Sequence, residues 1–136
     1  MRFPIRKQYD AMDCGPTCLQ MIAEYYGQYY SLQTLREKSY LTRNGSSLKG
    51  ISSAAKSIGF KTESVWMNWE QLIQNTHLPC IIHWDNNHFI VVYSIKSDNK
   101  ILVADPAFGK LTYNKDDFLK HWITDKKNNV GIVFQL

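Results

Sequence analysis

Long apolar runs are missing from this sequence of 136 residues, and cysteine is scarce. No stretch approaches the roughly 18 consecutive apolar residues of a membrane span. The N-terminal residues 1–7 lack the apolar segment of a secretory signal peptide. The three cysteines, Cys14, Cys18 and Cys80, are an odd number, and the first two lie one helical turn apart, so no disulfide framework is indicated. These absences predict a cytoplasmic domain in reducing surroundings.

Length and composition indicate one ordinary folded domain over residues 1–136. Hydrophobic residues make up 44% of the chain and charged residues 21%, as in folded globular proteins of this size. The net charge of +4 comes from scattered lysines and arginines, and no stretch alternates basic with aromatic residues. We therefore expect no nucleic-acid partner. The P-loop pattern G-x-x-x-x-G-K-[ST] of many ATPases is also missing.

The segment 8–27 is the part around which the rest of the chain is organised. A polar turn runs into an amphipathic helix with apolar positions at i, i+3, i+4 and i+7. Those positions hold Leu19, Ile22, Ala23 and Tyr26. Pro16 suits the first turn of the helix, and Gly27 suits the residue just past its end. Cys14 should therefore lie at the helix start, where N–H groups and the macrodipole stabilise a thiolate, and it is a candidate nucleophile.

The remaining pattern places helices before strands. Helices are predicted over 32–38 after Ser31, over 48–58 after Ser46 or Ser47, and over 69–74 after Asn68 with Leu72 and Ile73 facing inward. A loop is predicted over 42–45. Strands are predicted over 60–66, 80–84, 88–95, 101–105, 111–113 and 130–135, with a helix over 115–122. Helices followed by an antiparallel sheet define an α+β fold.

A cysteine nucleophile needs a proton acceptor. Four histidines are available: His77, His83, His88 and His121. His88 opens an apolar strand after the polar turn 85–87, so its ring should lie at a sheet end, within reach of a thiol and a substrate. Pairing of this strand with the next would bring Asp105 level with His88, where the carboxylate can orient the ring.

Spacing alone leaves other interpretations of these residues open. A lone cysteine at a helix start is more often structural than catalytic. His88 is also consistent with a surface residue beside a turn, and Asp105 with a turn residue before Pro106.

The other two cysteines suggest packing, and no metal site is expected. Cys18 is small and lies one turn below Cys14, as a buried residue would. Cys80 and His83 would point to opposite faces of one strand, so they cannot complete a zinc site with the first two cysteines. We interpret Cys80 as a core residue.

Six short motifs in order along nearly the whole chain carry a resemblance to a known family. They are Gln8-x5-Cys14-Gly15-Pro16, Leu19-x-Met21-Ile22, Tyr25-Tyr26-Gly27, His83-Trp84, Asn87-His88-Phe89 and Asp105-Pro106-Ala107-x-Gly109. Together they are similar to the C39 peptidase domain, the papain-like cysteine protease at the N-terminus of peptidase-containing bacterial ABC transporters. The resemblance implies a papain-like fold, with N-terminal helices packed on an antiparallel β-sheet.

The same resemblance implies a role for each candidate residue. Cys14 matches the nucleophile of the family and His88 its general base. Asp105 matches the carboxylate that orients the histidine. Gln8 matches the glutamine of the oxyanion hole, a role that rests mostly on the resemblance. No cofactor is implied.

The function implied is that of a cysteine endopeptidase that cleaves leader peptides after a Gly-Gly or Gly-Ala pair. Cleavage in this family takes place on the cytoplasmic face of the membrane and is coupled to export of a bacteriocin, lantibiotic or signalling peptide. The partners would be the leader peptide and, for an excised domain, the transmembrane and ATPase domains of the exporter. The predicted strand at the end of the chain favours such a domain boundary over a free-standing protein.

The leader could be recognised in two ways, through the small size of glycine and through apolar contacts with its helix. A narrow cleft that admits backbone but no Cβ would select glycine by excluding larger side chains. The rest of the leader, an amphipathic helix in this family, would bind an apolar groove. The apolar residues that could line this groove are Trp66, Met67, Trp69, Tyr25, Tyr26, Tyr29 and Tyr30. Most of them are more simply explained as core residues.

Two other functions remain as alternatives. One is a non-catalytic docking or regulatory domain of a peptide exporter, and relatives of that kind lack the nucleophile. The other is an acyltransferase or transglutaminase with the same triad, which would need a site for a second substrate. The sequence keeps the cysteine, histidine and aspartate together and shows no second site, so we expect a protease.

Overall fold

The computed structural model describes residues 2–9, 11–39 and 47–136. Its helices, which we label in chain order, are α1 (Cys14–Tyr25), α2 (Leu32–Lys38), α3 (Leu48–Ser57), α4 (Trp69–Asn75) and α5 (Lys115–Trp122). A short 3-10 turn, Ala11–Asp13, leads directly into α1. All five helices fall where the sequence predicted them. The predicted loop over 42–45 and the alternative cap Ser46 lie outside the described residues.

Side-chain caps explain where three of these helices begin. The Ser31 hydroxyl accepts a hydrogen bond from the Thr34 N–H, and the Ser47 hydroxyl accepts one from the Gly50 N–H. Asn68 forms a reciprocal capping box with Gln71 at the start of α4. Each cap satisfies a backbone donor that the first turn leaves without a helical partner.

The strands form one antiparallel sheet. They are β1 (Glu63–Met67), β2 (Cys80–Trp84), β3 (His88–Ile95), β4 (Ile101–Asp105), β5 (Gly109–Tyr113) and β6 (Gly131–Gln135), in the spatial order β1-β6-β2-β3-β4-β5. The predicted α+β architecture is confirmed. β1 begins three residues later than the predicted 60–66, and β5 begins two residues earlier than the predicted 111–113.

The sheet separates two hydrophobic cores. One core packs helices α1 to α3 against one face, and the other packs α4 and α5 against the opposite face. α1 is central to the first core, because Leu19, Ile22 and Ala23 have no exposed surface. The fourth predicted member of that apolar face, Tyr26, is 45% exposed because it lies just past the last turn of α1.

α4 buries a narrower stripe than the sequence predicted. Leu72 is buried, as expected, but Ile73 is 42% exposed. Adjacent helical residues point about 100° apart, so a short helix that packs one side against the sheet leaves the next residue outside.

A tight hairpin between β2 and β3 sets the start of β3. Asp85 and Asn86 both have positive φ, at 53° and 65°, and the Asn87 N–H donates to the Trp84 carbonyl at 3.2 Å. Two such residues form the primed turn that matches the twist of paired strands. His88 is therefore the first residue of β3 and pairs with Trp84 at the end of the sheet.

The N-terminal segment, residues 2–9, begins against the face of the sheet that carries α1 to α3 and ends beside the loop 105–109. At its beginning Phe3 stacks on Tyr93 of β3, with ring centroids 4.9 Å apart. Near its end the Gln8 N–H donates to the Pro106 carbonyl at 2.8 Å. Both ends of the segment are thus anchored to the sheet.

Across the described ranges, none of the helices has the length and apolar character needed to traverse a lipid bilayer.

Candidate active site

Cys14 is the first residue of α1 and is only 2% exposed. The residue before it, Asp13, is fully buried, and its Oδ1 lies 2.8 Å from Nε of Arg36 in α2. A carboxylate at this depth needs a cation to offset its desolvation. Asp13 therefore does not cap α1 with its side chain. The ion pair instead fixes the start of α1, and with it Cys14, relative to α2.

His88 and Asp105 form a close pair at the end of the sheet. His88 Nε2 lies 2.8 Å from Asp105 Oδ1, and the same oxygen accepts a hydrogen bond from the Ala107 N–H at 2.8 Å. The β3–β4 ladder ends with Val91 opposite Ala104, so Asp105 lies one position past the last pair and His88 lies three positions past it. The sequence predicted Asp105 level with His88, whereas in this register Asp105 is level with Ile90 and reaches His88 diagonally on the same face of the sheet. Asp105 is 2% exposed and held in one orientation.

The Cys14 thiol is the third member of this group of side chains. The thiol lies close enough to His88 that it raises the pKa of the ring, as Asp105 also does. Because Nε2 faces the carboxylate, Nδ1 is the ring nitrogen left for the sulfur. Burial alone lowers the pKa of His88, but the hydrogen bonds to Asp105 and Cys14 outweigh it and raise the pKa from 6.5 to about 9. The ring is therefore an imidazolium at neutral pH.

The other two cysteines do not share these surroundings. Cys18 is fully buried and donates its S–H to the Phe89 carbonyl at 3.3 Å. Burial, followed by the nearby charges of Cys14 and Asp105, raises the pKa of Cys18 well above its usual value. Cys80 lies in the opposite core, where burial raises its pKa to about 12. Both remain thiols, and the interpretation of each as a core residue agrees with its burial.

The three other histidines lie elsewhere. His83 packs on Phe89, and burial lowers its pKa. His77 Nε2 lies 3.4 Å from the Tyr26 hydroxyl on the surface. His121 Nδ1 lies 2.7 Å from Asp85 Oδ1, and its ring stacks on Trp84. The His121–Asp85 pair resembles the His88–Asp105 pair in geometry, but it is more exposed, and its described contacts include no cysteine.

Gln8 lies beside this site through its backbone contact with Pro106, the residue after Asp105. Its side-chain Oε1 is buried and finds no hydrogen-bond partner among the described residues. Buried amide oxygens are rarely left without a partner, and each exception calls for a specific explanation, of which a catalytic role is one.

Two residues that shape the site are not singled out by the sequence. Its pattern places Asp13 in a polar turn, whereas the folded chain uses Asp13 to anchor the start of α1 to Arg36. The same pattern gives Cys18 a packing role, whereas its thiol also joins α1 to the backbone of β3 next to His88. A charged residue directly before an apolar helix is the only local signal for Asp13. The partner in each case is distant in sequence.

Among the residues with described positions, no three histidine, cysteine, aspartate or glutamate side chains are grouped so that they could hold a metal ion.

In such a group of side chains the sulfur can attack a carbonyl carbon, and the imidazolium can protonate the departing amine while the carboxylate orients it. Comparison with known proteins identifies the family of the chain. Residues 2–127 match the family described as Peptidase C39 family. A curated relative, the probable microcin-H47 secretion/processing ATP-binding protein MchF of Escherichia coli, is 32% identical over 121 residues, which are 89% of this chain and 17% of that protein. The chain thus spans about a sixth of the length of that relative.

Two solved structures share the fold over nearly the whole chain. One is a double glycine motif protease from an AMS/PCAT transporter in complex with the leader peptide, with a TM-score of 0.89, 28% identity, and coverage of 98% of this chain and 90% of that one. The other is the peptidase domain of Streptococcus ComA, a bi-functional ABC transporter involved in a quorum sensing pathway, with a TM-score of 0.86, 28% identity, and coverage of 98% and 96%.

Helices on an antiparallel sheet, with the candidate triad at one sheet end, are the architecture of a cysteine-peptidase domain. The chain belongs to the peptidase C39 family.

Proposed function

We propose that this domain is a cysteine endopeptidase that cleaves a leader peptide after a Gly-Gly or Gly-Ala pair. The observation that carries the proposal is the hydrogen-bonded His88–Asp105 pair, whose imidazole ring also interacts with Cys14 at the start of α1. Relatives of the chain are secretion, processing and transport proteins, and one structural neighbour is a double glycine motif protease.

The proposed reaction has two steps. The Cys14 thiolate attacks the carbonyl carbon of the second glycine, the C–N bond to the next residue breaks, and His88 gives its proton to the leaving amine. Water then gives a proton to His88 and attacks the thioester, which releases the leader and restores the thiolate. Asp105 holds the His88 ring in place and stabilises its charged form in both steps.

Access to Cys14 supports the preference for glycine. Cys14 is only 2% exposed, so its neighbours leave little room for a substrate side chain beside the sulfur. A glycine carbonyl can approach such a sulfur because no Cβ stands beside it, whereas a larger side chain would collide with the walls.

Gln8 is proposed as a donor to the oxyanion, together with the Cys14 backbone N–H. The buried position of its Oε1 has no partner within the described residues, and a 180° turn of the amide exchanges Oε1 for the Nε2 donor there. A donor held in this way costs no reorganisation when charge develops on the substrate oxygen.

Replacing Gln8 with alanine is expected to lower kcat about 100-fold while KM changes little, because the lost contact forms only in the transition state. Steady-state kinetics on a Gly-Gly peptide will measure both constants. Gln33→Ala is the matched control, because Gln33 is a helix-surface glutamine in α2 that bonds to Glu37. Equal kcat for Gln8→Ala and wild type would remove Gln8 from the mechanism.

The proposed partners come from the same family. The leader peptide is the substrate, and the transmembrane and ATPase domains of an exporter are partners of the domain on the cytoplasmic face of the membrane. Of the residues considered for leader binding, Met67 and Trp69 are buried, whereas Tyr26, Tyr29 and Trp66 are 45%, 75% and 53% exposed. The exposed three remain available for an apolar leader helix.

The experiment that tests the function is incubation with a synthetic leader peptide that ends in Gly-Gly and continues for ten residues, followed by mass spectrometry. Cleavage after the second glycine, and none of a matched Ala-Ala peptide, is expected. Binding of the peptide without cleavage would favour the docking domain. Cleavage of both peptides alike would contradict the proposed specificity.

A further inference from the structure

An open cleft of about 560 Å³ lies at the far end of the N-terminal segment from Gln8. Its floor is aromatic, because Phe3 and Tyr93 stack with an angle of 4° between their rings. Its rim is basic. Lys110 Nζ stands 5.6 Å from the centroid of the Tyr93 ring, and Arg2 and Lys96 also line the cleft. The described residues that line it include no carboxylate.

A fourth cation joins this cleft to the candidate active site. Lys7 directly precedes Gln8, and its Cε lies 3.6 Å from the point where a Cβ on Gly109 would stand. Gly109 ends the loop 105–109, and Lys110 follows it in β5. We call the exposed cations that run from the loop into the cleft the basic strip: Lys7, Lys110, Lys96 and Arg2.

The charges of the basic strip are not neutralised within the described part of the chain. None of the carboxylates placed there forms an ion pair with a member of the strip. Of the acidic residues close in sequence, Glu24 is paired with Arg6, and Asp98 accepts a hydrogen bond from the Lys100 N–H. Four like charges kept together attract an anionic partner and repel one another when it is absent.

The distance from the reacting atoms fixes where a substrate residue would meet the strip. His88 and Tyr93 are five residues apart in β3, which corresponds to about 17 Å at the rise of a strand. An extended peptide covers that distance in about five residues.

The chemistry of the proposed site determines which part of the substrate passes along the basic strip. The leaving amine must lie next to His88, which protonates it, so the part of the substrate beyond the scissile bond leaves on the side of His88 and Asp105. The loop that begins at Asp105 leads directly to Lys110. The strip therefore lies along the path of the released peptide and not of the leader.

We propose that the basic strip binds acidic side chains of the substrate about five to seven residues after the scissile bond. This inference rests on the proposed peptidase function and adds a selection for the sequence of the released peptide. The carboxylates would meet Lys110, Lys96 and Arg2, and an apolar neighbour would cover the Phe3–Tyr93 floor.

Two peptides test the proposal. They share the leader, the Gly-Gly pair and the next four residues, and they carry Glu-Glu-Glu or Gln-Gln-Gln at positions five to seven. We expect kcat/KM to be roughly tenfold higher for the Glu peptide, chiefly through KM, because three exposed charge pairs each contribute a small factor. The ratio should fall towards one in about 0.5 M salt.

Two double variants that remove the same number of charges test whether the preference for the Glu peptide depends on the basic strip. In the double variant Lys96→Ala/Lys110→Ala the Glu/Gln ratio should fall to about two or less. Lys56→Ala/Lys126→Ala removes the same two charges from exposed sites off the strip and should keep the wild-type ratio. Equal kcat/KM for the two peptides with wild type, or loss of the preference in the control variant, would overturn the proposal.

A binding measurement separates this inference from the proposed function. Fluorescence anisotropy with labelled peptides and Cys14→Ala protein reports the Glu/Gln preference without cleavage. If wild type cleaves neither peptide, the peptidase function fails, and a Glu preference in binding would still support the strip. If a single-stranded oligonucleotide displaces the Glu peptide and binds more tightly at the same salt concentration, the strip is a nucleic-acid site and the proposal is wrong.

Discussion

Cleavage of a Gly-Gly peptide is expected to stop when Cys14 is replaced by alanine. No other thiol can take over, because Cys18 and Cys80 are fully buried and burial raises the pKa of each. Loss of the nucleophile from a catalytic triad typically costs about 10⁶-fold in kcat, so turnover should fall below detection. Mass spectrometry of the peptide after a long incubation will measure it.

Cys80→Ala is the matched control for this result. It removes a buried thiol from the opposite core, far from His88, and should lower stability modestly through lost packing without affecting kcat. Circular dichroism and thermal unfolding will show that Cys14→Ala keeps the fold. Retained cleavage by folded Cys14→Ala would contradict the assignment of the nucleophile.

The parts of the fold that local signals determine were predictable from the sequence. Serine and asparagine caps marked the starts of α2, α3 and α4, and Gly27 and Gly59 have the positive φ of residues that end helices. A cap or a left-handed glycine acts within a few residues, so the sequence carries its signal without reference to the rest of the chain.

The strand order was not predictable in this way. β6, the last strand, lies between β1 and β2, although about 50 to 70 residues separate it from them in the chain. Nothing local in the segment 131–135 specifies these neighbours. The choice depends on how both faces of the sheet are covered, and that is a property of the whole domain.

The site shows the same division between local and distant determinants. The turn between β3 and β4 predicts that His88 and Asp105 lie near the same end of the sheet, but it does not predict their contact. The contact depends on a β-bulge between Val92 and Ser94, which shifts the register by one residue and so puts both side chains on one face. The sequence alone did not exclude His121, which pairs with Asp85 just as closely. Only the folded chain shows that α1 brings Cys14 to His88, with the Asp13–Arg36 pair and the Cys18 thiol as anchors.

Asp105→Asn is expected to move the alkaline limit of activity downwards. In wild type, the hydrogen bonds of His88 to Asp105 and Cys14 outweigh its burial and raise its pKa to about 9. The imidazolium therefore persists up to that pH, and kcat/KM should decline above it as the proton donor is lost. Asparagine keeps the shape but removes the charge, so the limit should fall by about one pH unit or more.

The control for this shift is Asp85→Asn, which removes the carboxylate from the His121 pair and should leave the pH profile of kcat/KM unchanged. The pH dependence of stability gives a second readout, and its direction follows from the pKa of His88. Because the folded pKa of His88 lies above its ordinary value of 6.5, the pair stabilises the wild-type fold fully below pH 6.5, and this contribution is lost as the pH rises through about 9. Asp105→Asn should therefore lose more stability relative to wild type at pH 6 than at pH 10, as measured by urea unfolding. Identical pH profiles for Asp105→Asn and wild type would show that the carboxylate does not stabilise the charged form of His88. The raised pKa of His88 would then have to depend on Cys14 alone.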